Sequence, residues 1–197
     1  MCIKKNLIFV FCFVSFFVFS QKKKTTATPP LATYENITVD VLIEGGKSKL
    51  VAFIQFDDKK EKVILKELTT TDKTQYPTQV KVSSFTISGV KLYHFSYVEN
   101  LKIETKLKKE ETIITSNEIW DFSSTKIKIL GNIQKTSKIK EIVFLDKNKT
   151  ASETQEKTRR EGFDFNLTKE NDVILSNKTQ TNRYKFNPET RRFDPKK

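Results

Sequence analysis

Histidine and cysteine, two side chains that often carry catalysis or bind a metal, are scarce in this sequence. His94 is the only histidine, and Cys2 and Cys12 are the only cysteines. A metal site built on a pair of histidines is therefore excluded, and so is any mechanism that needs two imidazoles. We expect no metal ion and no cofactor, and we interpret His94 as a side chain held by a hydrogen bond within the fold.

Hydrolysis is the catalytic alternative that the residue types leave open. A Ser-His-Asp hydrolase could use His94, although no Gly-x-Ser-x-Gly segment is present to hold the serine. Glycoside hydrolysis needs two carboxylates that flank the scissile bond. Many acidic residues could supply them, such as Asp57, Glu118, Asp121 and Asp164. Because spacing along the chain does not show which carboxylates meet, an envelope or extracellular hydrolase stays as the alternative to a protein without catalysis.

Side chains suited to ligand binding are more abundant than catalytic ones. Tyr93, Phe95 and Tyr97 alternate along one expected strand, so they share a face. They could form an aromatic platform for a sugar or a base, or they could pack in the core. Lysines concentrate in Lys126–Lys140, a stretch without an acidic residue. The candidate binding residues are Tyr93, Phe95, Tyr97, Lys135, Lys138, Lys140, Arg159 and Arg160.

The charge balance points to anionic partners. The formal net charge is +12 at pH 7, which favours contact with anionic polymers, lipid headgroups or acidic proteins. An anionic glycan or an acidic protein is the preferred partner. Nucleic acid is disfavoured, because an exported protein meets mainly glycans, lipids and other proteins. The other interpretation is that the basic residues only solvate scattered strand faces.

The N-terminus has the pattern of a cleavable signal peptide. Lys4 and Lys5 precede the run Leu7–Phe19, which is apolar except at two positions. The run is shorter than the roughly 20 residues that span a bilayer. We therefore expect residues 1–20 to be removed, with cleavage near Gln21, and the protein to reach the periplasm or the extracellular space. Both cysteines leave with the leader, so the mature chain forms no disulfide, which favours a bacterial over a eukaryotic export route.

The remaining chain divides into a tether and one β-rich domain. Residues 21–30 combine lysines, small polar residues and a proline pair, which is typical of a flexible tether. Residues 31–197 show a hydrophobic period of two, as at Leu101, Ile103 and Leu107. Further strands are expected at Ile37–Ile43, Lys49–Phe56, Lys62–Leu68, Gln79–Ile87, Val90–Val98, Lys126–Leu130, Ile139–Leu145, Gly162–Thr168, Asp172–Leu175 and Arg183–Phe186. This pattern predicts an all-β fold, a single antiparallel sandwich-, barrel- or propeller-like domain of ten or more short strands.

Two segments have more specific local predictions. Gly45 and Gly46 separate two alternating runs, and such a pair supplies the positive φ angles of a tight turn. We therefore predict a β-hairpin over residues 37–56. Lys149–Glu161 has almost no apolar residue, which favours a short helix or a long exposed loop over a strand.

Together these observations favour binding over catalysis. The leading hypothesis is an exported binding or interaction module, for example an inhibitor or a protective protein. A third class is a structural component of a surface assembly, which long uncovered edge strands would support. The ligand and the oligomeric state stay open at this stage.

Overall fold

The computed structural model describes residues 29–56, 59–123 and 126–196. Within these ranges the chain forms thirteen β-strands, one 3-10 turn at Lys73–Gln75 and no α-helix. The strands are β1 (Ala32–Tyr34), β2 (Ile37–Glu44), β3 (Lys47–Phe56), β4 (Lys59–Glu67), β5 (Thr78–Ile87), β6 (Val90–Glu104), β7 (Lys108–Asp121), β8 (Ile127–Phe144), β9 (Ser152–Gly162), β10 (Asp164–Leu167), β11 (Val173–Ser176), β12 (Thr181–Asn187) and β13 (Arg192–Pro195). The predicted leader, residues 1–20, and most of the predicted tether lie outside the described residues.

The strands form three antiparallel sheets, each in chain order. Sheet A contains β1 to β4, sheet B contains β5 to β9, and sheet C contains β10 to β13. The prediction of an antiparallel all-β fold is confirmed, but the strands belong to three separate sheets and do not close into a barrel. The strands are not all short, because β6, β7 and β8 have 15, 14 and 18 residues.

The predicted hairpin over residues 37–56 is confirmed. β2 and β3 pair from Ile37↔Ile54 to Glu44↔Lys47. Gly45 and Gly46 form the turn with φ angles of 59° and 76°. These left-handed angles are accessible to glycine without the strain that a side chain would add, which explains the glycine pair at this turn.

The prediction of a helix or loop over Lys149–Glu161 is wrong, because most of this segment forms β9. β9 pairs with β8 along its whole length, and all eleven of its residues are exposed. A strand at the edge of a sheet gains backbone hydrogen bonds without burying a face, so it needs no apolar period. Charge pairing also supports it: Glu156 accepts from Lys140 at 2.8 Å, and Lys157 donates to Glu141 at 2.6 Å.

Sheet B lies between the other two sheets. On one face, Phe95, Tyr97 and Trp120 of sheet B pack against apolar side chains of sheet A. On the opposite face, Leu92 and Ile119 pack against sheet C. The contributing side chains are Ile37, Val39, Leu50, Ala52, Ile54, Val63 and Leu65 from sheet A, and Val173, Phe186 and Phe193 from sheet C. Strand alternation thus allows one sheet to build two apolar cores.

Part of sheet B extends beyond both cores. Neither core contains a residue of 99–116 or 133–162, which are the far halves of β6, β7 and β8 together with β9. We call these residues the overhang. At a rise of about 3.3 Å per residue, the portion of β8 in the overhang is about 40 Å long. The region where the three sheets stack is called the body.

Gly162 marks the corner where the chain passes from the overhang to sheet C. Its φ angle is +82°, and a Cβ atom there would lie 2.2 Å from the carbonyl oxygen of Ile133. Beside the corner, Asn132 Nδ2 donates to the carbonyl oxygen of Phe163 at 2.9 Å, and Arg160 pairs with Asp164 at 2.5 Å. This close backbone approach accommodates no side chain at position 162.

Candidate functional site

The aromatic candidates Tyr93, Phe95 and Tyr97 share a face of β6, and sheet A covers most of it. Phe95 is 0% exposed and Tyr97 is 1% exposed. Tyr93 is half-buried and stacks on Phe122 with ring centroids 5.2 Å apart. Phe95 and Tyr97 therefore contribute to the core, and only Tyr93 reaches an open cleft.

The Glu118 carboxylate is buried beneath this aromatic face. It accepts hydrogen bonds from Trp120 Nε1 at 2.8 Å, from Lys128 Nζ at 3.1 Å and from the Tyr97 hydroxyl at 3.4 Å. Burial, together with the negative charge of Glu118, raises the pKa of Tyr97. The tyrosine thus stays protonated and donates to the carboxylate. Three donors satisfy Glu118, which makes it a structural group of the core.

The other carboxylates considered for hydrolysis are engaged separately. Asp121 is buried and pairs with Arg191 at 2.5 Å, and Asp164 pairs with Arg160. Asp57 lies outside the described residues. In the described ranges, no three side chains of histidine, cysteine, aspartate or glutamate are arranged to hold a metal ion.

His94 lies on the face of β6 that is turned towards sheet C. Its Nε2 is 3.1 Å from Oδ1 of Asn117, and its ring stacks on Phe165 with centroids 4.9 Å apart. Burial lowers the pKa of His94, because the charged imidazolium loses hydration, and the Asn117 hydrogen bond opposes this only in part. As predicted, a hydrogen bond within the fold holds this histidine. Its partner is a neutral amide, which raises the basicity of the ring less than a charged carboxylate would.

All five basic candidates lie on the overhang, but strand alternation places them on two faces. Lys138, Lys140 and Arg160 share the face on the side of sheet C, and Lys135 and Arg159 share the other. Lys140, Arg159 and Arg160 pair with Glu156, Glu161 and Asp164 at 2.8, 2.6 and 2.5 Å. The structure therefore brings together three of the five cations and separates the other two.

The overhang also carries exposed aliphatic side chains, a feature that the sequence interpretation missed. They lie on the face towards sheet A, on the face towards sheet C and in the turns, and are Leu101, Ile103 and Ile133, then Ile113 and Ile142, then Leu107 and Leu145. Isolated aliphatic residues among lysines resemble an ordinary half-buried strand. Only the absence of a covering sheet among the described residues distinguishes them, and the sequence does not report that absence.

An open cleft of about 600 Å³ lies where turns of the three sheets converge. Its lining includes Phe56 of sheet A, Lys91 and Tyr93 of sheet B, and Arg191 next to sheet C. Both cations have carboxylate partners, since Lys91 pairs with Glu35 at 2.6 Å and Arg191 pairs with the buried Asp121. Each of these ion pairs joins sheet B to a turn of a neighbouring sheet.

Comparison of the chain with protein-family models, curated proteins and solved structures gave no match. Within the described residues, no helix has the length and apolar character that crossing a membrane requires. The functional argument therefore depends on the chain's own surfaces, of which the overhang is the most distinctive.

Proposed function

We propose that this protein is an exported binding module that contacts an anionic polymer, either an acidic glycan or an acidic protein, through the overhang of sheet B. The observation that carries the proposal is the position of the basic candidates: all five lie on the one part of the sheet that belongs to neither core. A sandwich-like body of three sheets would then serve as the scaffold for this projecting surface.

The exposed aliphatic residues of the overhang support a binding role. Soluble monomeric proteins rarely expose large contiguous apolar patches, and those that they do expose are often interaction sites. Here Leu101, Ile113 and Ile133 are between 38% and 54% exposed. Cations beside aliphatic side chains suit a partner that offers both negative charge and apolar surface.

The edge of the overhang favours a binder over a polymerising subunit. Six of the eleven residues of β9 are charged, and charged edge strands resist pairing with further strands. The hydrolase alternative gains no support from His94, whose partner is an amide, or from the described carboxylates Glu118, Asp121 and Asp164, which are engaged with separate partners.

Binding to polygalacturonate, compared with uncharged dextran at two salt concentrations, tests this function. We expect polygalacturonate to bind and the affinity to fall as salt rises, because exposed charges are screened over about 8 Å at physiological ionic strength. Changing Lys138 and Lys140 to Glu should abolish binding if the face towards sheet C is used. The matched control changes Lys135 and Arg159 to Glu on the opposite face. Binding that is indifferent to salt and to both pairs of substitutions would refute the proposal.

Export is part of the same proposal and has its own test. The charged and apolar segments before Gln21 support it. Intact-mass measurement of the protein from its host should give a chain that begins within two or so residues of Gln21. A purified chain that retains Met1 would contradict export.

A further inference from the structure

The far end of the overhang forms an apolar tip. The β6–β7 turn lies beside the end of β8, which leads into the β8–β9 turn, since the Ile142 amide donates to the carbonyl oxygen of Leu107 at 2.8 Å. Four large aliphatic residues surround these turns: Ile103, Leu107, Ile142 and Leu145 are 55%, 48%, 39% and 62% exposed. We call these four residues the tip.

Lysines surround the tip. Lys106, Lys147 and Lys149 are exposed in the two turns, and none of them takes part in the ion pairs found among the described residues. Asp146 is the acidic residue of the β8–β9 turn. Its Oδ1 accepts the amides of Thr150 and Ala151 at 2.9 and 3.1 Å, so this carboxylate is engaged within its own turn.

Both turns are held by local hydrogen bonds. The Thr105 amide donates to the carbonyl oxygen of Lys108 at 2.7 Å, and the Lys108 amide donates to Thr105 Oγ1 at 3.0 Å. Hydrogen bonds from Thr150 and other donors in its own turn lower the pKa of Asp146, which stays ionised and keeps the second turn closed. Turns that are already ordered lose little conformational freedom when they bind.

The apolar residues project from both faces of the sheet. Ile103 lies on the face towards sheet A, Ile142 lies on the face towards sheet C, and Leu107 and Leu145 lie in the turns at the end. A protein partner docked on one face would leave the other face uncovered. A lipid bilayer surrounds an inserted end on all sides, so it can bury Leu107, Ile142 and Leu145 together. Ile103 pairs through Glu110 with Ile139, three residues before Ile142, and therefore lies about 10 Å further from the end.

We propose that the tip docks on a membrane surface that contains anionic lipids. The side chains of Leu107, Ile142 and Leu145 enter the boundary between headgroups and acyl chains, and Lys106, Lys147 and Lys149 contact the lipid phosphates. Residues 98–104 of β6 place the β6–β7 turn about 20 Å beyond the body, so the body does not obstruct the approach. This contact goes beyond the proposed function, which uses the faces of the overhang rather than its end.

Sedimentation with vesicles tests the proposal. The exported form of the protein is mixed with vesicles of phosphatidylcholine alone, or of equal parts phosphatidylcholine and phosphatidylglycerol. We expect binding to the anionic vesicles and much weaker binding to the neutral ones. Changing Leu107 and Leu145 to Ser should lower the partition coefficient at least about tenfold. Changing Lys106, Lys147 and Lys149 to Gln should lower it by roughly 100-fold, at about 1 kcal/mol for each lysine near an anionic surface.

Ile43→Ser is the matched control, because Ile43 is 53% exposed in sheet A, away from the tip. It should bind vesicles as the wild-type protein does. Intact mass verifies that every variant has the same N-terminus, so a retained leader does not account for a difference in vesicle binding between variants. Circular dichroism and thermal unfolding verify that every variant is folded.

A fluorescent reporter locates the contact. Leu145→Trp should shift its emission to shorter wavelength when anionic vesicles are added, and Ile43→Trp should not. The native Trp120 is 7% exposed in the core and provides a constant background. Absence of vesicle binding, equal binding to neutral and anionic vesicles, or full binding by the Leu107 and Leu145 double variant would overturn the proposal. A polygalacturonate result of either sign leaves this test intact, because its variants lie outside the tip.

Discussion

The body and the overhang are two ends of the same strands, stabilised in different ways. In the body, β6 buries Leu92 against sheet C and Phe95 against sheet A. Beyond Glu99 the same strand exposes Leu101, Lys102 and Ile103. Of the described residues in the overhang, only Ile114 and Ile139 are buried aliphatic residues. The sheet there otherwise depends on backbone pairing and on cross-strand charge pairs, which individually contribute little at an exposed surface. The comparison shows that apolar burial can anchor one end of a meander while the other end of the same strands stays exposed to solvent.

Removing the Phe95 side chain should have the largest effect. Phe95→Ala would leave a cavity between sheets A and B, where the ring is fully buried and meets Phe122 edge-on at 5.9 Å. We expect a loss of about 3–5 kcal/mol in the free energy of unfolding, measured by urea denaturation. The counterpart in the overhang, Ile113→Ala, should cost far less because Ile113 is 46% exposed. Equal losses for the two variants would show that the overhang has a core of its own.

Substituting Gly162 tests the joint between the two regions. Gly162→Ala would place its Cβ against the carbonyl oxygen of Ile133, a backbone atom that cannot move aside without disturbing β8. We expect a loss of about 3 kcal/mol, again in urea. Gly89→Ala is the control, since Gly89 also has a positive φ angle but open space around it. It should cost only about 1 kcal/mol, and an equal cost at both positions would mean that the φ angle alone matters.

The pH dependence of stability at about pH 6 tests the burial of His94 in the body. Burial lowers the pKa of His94 below its ordinary value of 6.5, so the folded protein binds a proton less readily than the unfolded chain. The free energy of unfolding should therefore be greatest above pH 6.5 and should fall as the pH drops from 6.5 to the folded pKa. The size of the effect is about 1.4 kcal/mol per unit of pKa shift.

The matched measurement for this titration uses His94→Gln, compared with the wild-type protein by urea denaturation between pH 7 and pH 5 or so. The variant should lose the part of the pH dependence that belongs to the imidazole. Identical pH profiles for the two proteins would show that His94 has the same pKa in the folded and unfolded chains.

The smallest effect is expected for Ile133→Thr in the overhang. Ile133 is 54% exposed, and threonine keeps the branched Cβ that favours a strand. The free energy of unfolding should change by no more than about 0.5 kcal/mol. The same substitution in the body, Ile54→Thr, buries a hydroxyl at a residue that is 1% exposed and should cost several times more. If Ile133→Thr were equally costly, the overhang would be packed against a covering layer.

The contrast between the two regions also helps to explain which strands were predicted from the sequence and which were missed. β2, β3 and the body half of β6 were recognised because one buried face imposes a period of two on their residues. β7 and β9 were missed, and β8 was divided into two predicted strands at Lys126–Leu130 and Ile139–Leu145, because residues such as Asn132 and Gln134 interrupt the apolar pattern. Periodicity also predicted strands in the overhang, at Leu101–Leu107 and Ile139–Leu145, although most of their apolar residues are exposed, so the pattern alone does not distinguish a covered strand from an uncovered one.

The sequence likewise predicted only part of the candidate site. Placing Tyr93, Phe95 and Tyr97 on one face was correct, and of the two roles considered for them, core packing is the one found for Phe95 and Tyr97. Lys135 and Lys138 are close in sequence, yet an odd spacing places them on opposite faces of β8. The tip escaped notice because Leu107 and Leu145 come from turns 38 positions apart in the printed sequence, and only strand pairing brings these turns together.

The chain order of the strands has a consequence for how the protein is made. Within each sheet, every strand pairs with the strand next to it in the sequence. Because short loops join the paired strands, each new strand closes a small loop on the strand made just before it. A chain that emerges from the ribosome or passes through a membrane pore N-terminus first can therefore complete sheet A before sheet C has appeared. Each unpaired edge is then exposed only until the next strand arrives, which shortens the time available for aggregation.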